Sequence, residues 1–131
     1  MQGGIKNTDF VLHDIKDKNM MYEWAEEMNC AVTVTDADCN IIFMNKKARA
    51  TFSSHGDLIG KNLNDCHSER SKEIIACLLA TGGTNSYTIR KRGIRKMIYQ
   101  TAWMKDGKVG GLVEISMEIP EDMPHYDRDA Q

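Results

Sequence analysis

The sequence predicts an α+β domain: a five-stranded antiparallel sheet with helices on one face and a further helix ahead of the first strand. Three observations carry this expectation. Residues 14–28 and 69–81 repeat apolar side chains every three to four positions, the period of an amphipathic helix. Five short runs are β-branched or alternate apolar with polar residues, and the last three are separated by Arg92-Gly93 and Asp106-Gly107. The order is helix, two strands, helices, three strands, which reads as an antiparallel sheet with its helices gathered to one side.

Taking the elements in turn, Ile15, Met21, Tyr22, Ala25 and Met28 form the stripe of the first helix, and Asp17, Lys18, Glu23, Glu26 and Glu27 fill much of the remainder. Asp14 is placed to cap its start and Asn29 to end it in the left-handed conformation. Met20 and Trp24 widen the apolar face beyond what one sheet contact requires. Residues 31–35 alternate valine and threonine, residues 36–40 (Asp-Ala-Asp-Cys-Asn) supply turn chemistry, and residues 41–44 complete a hairpin. Asn45 caps a short helix over residues 46–52. Ser53, Ser54, Gly56, Asp57 and Gly60 mark irregular chain. In the second long helix, Ile74 with Leu78 and Ile75 with Leu79 are i,i+4 pairs; Ser68 caps it and Gly82-Gly83 stops it. Strands follow over residues 86–90, 94–104 and 109–119. Asp106-Gly107 is the stronger hairpin signal, because both positions must take positive φ. Val113, Ile115, Met117 and Ile119 alternate with Glu114, Ser116 and Glu118, the pattern of a half-buried strand. The two prolines stand at 120 and 124. Residues 14–120 therefore read as one domain, with tails over 1–13 and 121–131.

Bulk properties narrow the function classes. The 17 Lys and Arg against 19 Asp and Glu leave a net charge of −2, which gives no broad drive toward nucleic acid or an anionic membrane. The longest apolar run, residues 74–80, is far short of the roughly 20 residues of a membrane helix. The start Met-Gln-Gly-Gly lacks the pattern of a secretory leader, so a cytoplasmic location is expected. Cys30, Cys39, Cys66 and Cys77 form no C-x-x-C pair, which argues against a closed zinc site and for reduced, packed thiols.

Five segments in order resemble the PAS domain family, over about residues 21–119. Val32-Thr33-Val34-Thr35-Asp36, a turn and then Ile41-Ile42-Phe43-Met44-Asn45-Lys46-Lys47-Ala48 is similar to that family's opening hairpin and helix-starting asparagine. Leu58-Ile59-Gly60-Lys61-Asn62-Leu63 resembles its hydrophobic, Ile/Val, Gly, Lys/Arg step. Cys66-His67-Ser68-Glu69-Arg70 stands where many members have a His-Pro-Glu-Asp-like approach to their long helix. Asp106-Gly107-Lys108-Val109-Gly110-Gly111-Leu112-Val113 matches the closing hairpin. The Asp-Ile-Thr ending that leads many members to a kinase or cyclase is replaced by Ile119-Pro120-Glu121-Asp122. The resemblance implies a solitary sensor of a stand-alone bacterial kind, a long helix across the palm of one curled sheet, and a small ligand between the two.

His67 and Cys66 are iron-ligand types, but the haem-binding relatives of such a fold carry their histidine inside the long helix, where residues 74–79 have none. The stretch 62–66 does not match the flavin-photosensing cysteine motif. Met97, Tyr99, Thr101 and Trp103 share one face of their strand, and Lys96, Ile98, Gln100 and Ala102 the other; the face with Tyr99 and Trp103 offers polar handles in an apolar setting. The candidate pocket residues are therefore Met44, His67, Ile75, Leu79, Met97, Tyr99, Trp103 and Ile115. The candidate dimer helix presents Met20, Met21, Trp24 and Met28. Arg90, Lys91, Arg92, Arg95 and Lys96 read as a solvated hairpin tip. No G-x-S-x-G elbow, H-E-x-x-H pair or phosphate-cradling loop is found. The expected function is a sensory or signalling module that binds a small ligand or a partner protein and relays a conformational change without catalysis. The partners expected are a second copy of the chain and a signalling protein, with neither nucleic acid nor membrane. The alternatives are a homodimerisation module with a filled core and no ligand, or a haem or redox sensor using His67; the cofactor stays open, with none expected first.

Overall fold

A computed structural model of the chain describes residues 21–129. The first helix was expected over residues 14–28. Its described part is the single turn α1 (Glu23–Glu26), and Met20 lies outside the described residues. The indole Nε1 of Trp24 donates to the Met21 carbonyl at 2.8 Å, and Ala25 is the one α1 residue that is buried. Asn29 does not end the helix in the left-handed region; the turn stops earlier, at Glu27, whose φ is −112°.

The opening hairpin pairs β1 (Ala31–Thr35) with β2 (Ile41–Met44). Its turn is organised by one carboxylate: Asp36 Oδ1 accepts from the backbone N–H of Asp38 at 3.0 Å and of Asn40 at 2.9 Å. Helix α2 (Lys46–Thr51) starts at Asn45, and the irregular segment behind it carries two 3₁₀ turns, Ser53–His55 and Leu63–Cys66. That segment is stitched to β2 and its turn. Ile41 N donates to Lys61 O, Gly60 N to Ile41 O and Leu63 N to Cys39 O, at 2.7–2.8 Å. Helix α3 (Glu69–Thr81) has Ser68 as its cap, accepting from Ser71 N, and ends at Gly82 with φ of 70°.

The remaining strands are β3 (Thr84–Lys91), β4 (Ile94–Lys105) and β5 (Lys108–Glu118). Arg92 and Gly93 have φ of 53° and 78°, and Asp106 and Gly107 have 53° and 77°, so both hairpins turn with two successive positive-φ residues, as primed turns require. All pairings are antiparallel, in the order β2-β1-β5-β4-β3, so the chain closes its sheet by placing its last strand beside its first.

Each face of the sheet has its own apolar cluster. On the α3 side, Ile75 and Leu78 pack with Ile41, Met44, Ala48, Leu58, Leu63 and Leu112. On the other side, Cys30, Val32 and Val34 pack with Tyr22, Phe43, Trp103, Val113, Ile115 and Met117, and the Tyr22 and Phe43 rings stack with centroids 4.3 Å apart. No helix among the described residues is long and apolar enough to cross a membrane.

Two locks hold this arrangement. Asn45 is fully buried and makes four side-chain hydrogen bonds, all an amide can offer: Oδ1 accepts from Val32 N and Ala48 N, and Nδ2 donates to Ala25 O and Cys30 O. One side chain thus ties α1, β1 and α2 together. In the second lock, Trp103 Nε1 donates to Thr35 O at 2.9 Å while its ring lies over the glycines of β5. A Cβ on Gly110 would stand 2.1 Å from that ring, and one on Gly111 would stand 1.9 Å from Thr35 O.

Asn45→Ala strands two buried N–H groups and two carbonyls, and is expected to cost about 2–4 kcal/mol in urea unfolding; a loss under 1 kcal/mol would contradict the first lock. For the second, Trp103→Leu is expected to rescue Gly110→Ala, whose clash is with a removable ring. It should not rescue Gly111→Ala, which meets backbone, and equal rescue of both would disprove the distinction.

Candidate ligand cavity

The sheet's α3-side face is not filled at its centre. A cavity of about 260 Å³ lies between that face and the chain running from α2 to the start of α3. The floor comes from the strands: Ala31 and Thr33 of β1, Glu114 and Ser116 of β5, Lys96 and Ile98 of β4, and Tyr87, Ile89 and Lys91 of β3. The opposite wall comes from Ile41 and Met44 of β2, Thr51 and Phe52 at the end of α2, and Leu58, Leu63 and His67. Period-two alternation explains the floor, since each strand contributes every second residue.

Three polar groups converge there. Glu114 belongs to the middle strand of the sheet, between Thr33 of β1 and Gln100 of β4. Its carboxylate makes no hydrogen bond among the described residues. Desolvation holds its carboxyl above the usual range, and the charge on His67 pulls the other way. Tyr87 of β3 is raised from its ordinary value by desolvation, and then by the negative charge of Glu114. The third group, His67, has Nδ1 2.9 Å from Leu63 O. A carbonyl only accepts, so Nδ1 carries a proton, and in the neutral ring Nε2 is left as an acceptor.

Of the residues singled out from the sequence, Met44 and His67 line the cavity. Ile75 and Leu79 instead belong to the packed cluster beside it, Ile75 fully buried and Leu79 partly so. Met97, Tyr99, Trp103 and Ile115 are corrected: they occupy the opposite face, where Tyr99 pairs with Ile115 and Met97 with Met117. The β4 alternation assigned its two faces as groups correctly, but the face turned toward α3 carries Lys96, Ile98, Gln100 and Ala102. Glu114, Tyr87 and Phe52 were not anticipated. The available signal was the register that Asp106-Gly107 imposes, which sets Glu114 opposite the buried Gln100 and Ser116 opposite the buried Ile98. For the helix candidates, Met21, Trp24 and Met28 are exposed to 59%, 67% and 40%.

No group of three or more His, Cys, Asp and Glu side chains placed to hold a metal is found among the described residues. The cavity is smaller than the roughly 300–1,000 Å³ of ordinary cofactor and drug-sized sites, so this arrangement has no room for a porphyrin beside His67.

A carboxyl raised on folding keeps its proton at pH values where the unfolded chain has released it. Its burial therefore weakens the fold as pH rises above the ordinary glutamate value near ~4.3. Glu114→Gln should consequently melt a few degrees higher than the parent at pH 7–8, with the gap narrowing toward pH 4. A variant less stable than the parent at pH 8 would overturn this reading of Glu114.

No family model matches the chain, and no curated protein matches it. Solved structures do. The PAS domain from Bordetella pertussis BvgS superposes with a TM-score of 0.59 at 13% identity, covering 81% of this chain and 88% of that one. A sensory box sensor histidine kinase from Vibrio cholerae gives 0.56 at 12%, covering 85% and 98%. A PAS domain from Colwellia psychrerythraea gives 0.55 at 21%, covering 81% and 98%. At such identities the likeness is one of backbone architecture, and the chain has the PAS-domain fold.

Proposed function

We propose that the chain is a sensory or signalling module that takes a small molecule into the cavity and relays its presence without catalysis of its own. The observation that carries this is the cavity itself: apolar walls, about 260 Å³ of space and a carboxylate on its floor that no described residue hydrogen-bonds. A dedicated packing core fills such space and excludes such a group, because a desolvated charge without partners costs stability. The PAS fold shared with sensor kinases supports the same reading.

Relay follows from how β5 alternates. Glu114 and Ser116 face the cavity while Val113, Ile115 and Met117 face the cluster that holds Tyr22, Phe43 and Trp103. A ligand that binds one setting of β5 better than another shifts the population of both faces together, by no more than its differential affinity. A cytoplasmic setting fits Cys30, Cys39 and Cys77, which are free thiols.

A second copy of the chain is the partner that Met21 and Trp24 favour, since two large apolar side chains stand exposed on and beside one helical turn. Self-association through this turn would make the outer cluster the route by which the cavity's state reaches a dimer.

Mass spectrometry of natively purified protein is expected to find a retained small molecule, and Ser116→Phe, which fills the cavity, to lose it without loss of fold. Protein that carries nothing and is not stabilised by neutral probes such as toluene would sink the ligand reading. Sedimentation velocity at micromolar concentration should show a dimer that Trp24→Ser weakens about tenfold or more. A monomer throughout would end the self-association reading.

A further inference from the structure

The polar groups of the cavity define what kind of molecule fits it. We propose that its ligand is a small aromatic compound bearing a cationic, multiply N–H-donating group, such as an amidine or an amino-substituted heteroaromatic base, seated with that group on the Glu114 carboxylate. This rests on reading the cavity as a ligand site.

The acceptors come first. Glu114 receives no hydrogen bond from the described residues, so its carboxylate brings unused lone pairs to the floor. His67 lines the same cavity, its ring oriented by the Nδ1–H to Leu63 O. The two oxygens of the Glu114 carboxylate ask for a group with at least two N–H bonds. An ionised carboxylate in a partly desolvated site prefers that group to be a cation, and a planar amidine matches its two oxygens as a fork.

Size and walls set the rest. Phe52 and Tyr87 bring aromatic rings and Met44 a polarisable thioether to the lining, side chains suited to a flat ring, and the volume suits one ring or a fused pair rather than a nucleotide. Lys91 and Lys96 also touch the cavity and argue for an anion. Lys91 is exposed and Lys96 partly so, on β-hairpin positions whose long stems let the ammonium groups reach water, where salt screens them. Glu114 stands mid-strand on the floor, and its carboxylate repels a carboxylate ligand.

The test uses four isosteric or near-isosteric probes in thermal unfolding: benzamidine, benzamide, benzoate and toluene. Benzamidine is expected to raise Tm by about 5 °C at ten times its Kd, benzoate not at all, and Glu114→Gln to erase the benzamidine shift at least tenfold in affinity. Glu114→Gln relieves a desolvated charge and stays folded, and Glu114→Leu provides a second variant with the same expected loss. Stabilisation by benzoate above benzamidine, or an equal benzamidine shift in the parent and both Glu114 variants, overturns the proposal. Toluene separates the two readings. If toluene stabilises and benzamidine does not, the cavity binds ligands but the charge assignment is wrong. If none of the four acts, the cavity reading fails as well.

Discussion

The structure depends on one buried amide. Strand β1 has to meet β2 on one side and β5 on the other while a helical turn precedes it and α2 follows the hairpin, and Asn45 is where those demands are reconciled. Its Oδ1 satisfies an N–H of β1 and one in the first turn of α2, and its Nδ2 satisfies carbonyls on and after α1. Only Gln carries the same two donors and two acceptors, and its extra methylene moves the amide away from these four partners. Full burial raises the stakes, because each group left unpaired there pays desolvation without return.

Trp103 supplies the matching constraint at the far end of β1. The ladder between β1 and β5 runs from Ala31 to Val34, and beyond it Thr35 is held by side chains: its carbonyl by the Trp103 indole, and its hydroxyl oxygen by Leu112 N. Gly110 leaves room for that indole, and Gly111 for the Thr35 carbonyl it bonds. A local bulge between Trp103 and Met104 aims the ring. The sheet therefore closes through one aromatic residue that crosses from β4 over β5 to β1.

Much of this was legible in the sequence, for identifiable reasons. Asp106-Gly107 and Arg92-Gly93 marked their hairpins because positive φ at two adjacent residues has few solutions, and Ser68 and Gly82 bounded α3 because caps are chemically specific. The asparagine was legible as a cap, though its reach back to Ala25 and Cys30 was not, since twenty residues of separation leave no local trace. The cavity was the harder part. Alternation on β5 shows which residues share a face, but not which face is inward. The apolar set Val113, Ile115 and Met117 looked like the core side, yet a second cluster around Val32 and Trp103 gathers it on the outside. Polar Glu114 and Ser116 were thereby left to line the interior. A sheet with apolar residues on both faces breaks the rule that polarity marks the solvent side.

That inversion bears directly on function. A sheet that only needed to pack against α3 would put its apolar alternates inward and place Glu114 in water. Here the two-sided pattern sets a carboxylate against Ile98, Leu63 and Ile41, at a standing cost to the apo fold. On the proposed reading that cost is a reservoir of binding free energy, which a molecule with the right donor would recover by neutralising Glu114. Discrimination among ligands then comes from the unsatisfied group rather than from the apolar walls, which accept any small ring alike. Because Glu114 is one residue from Val113 and Ile115, the strand that lines the cavity is also the strand that shapes the outer cluster. On the proposed reading, recognition and relay would fall to consecutive residues of β5.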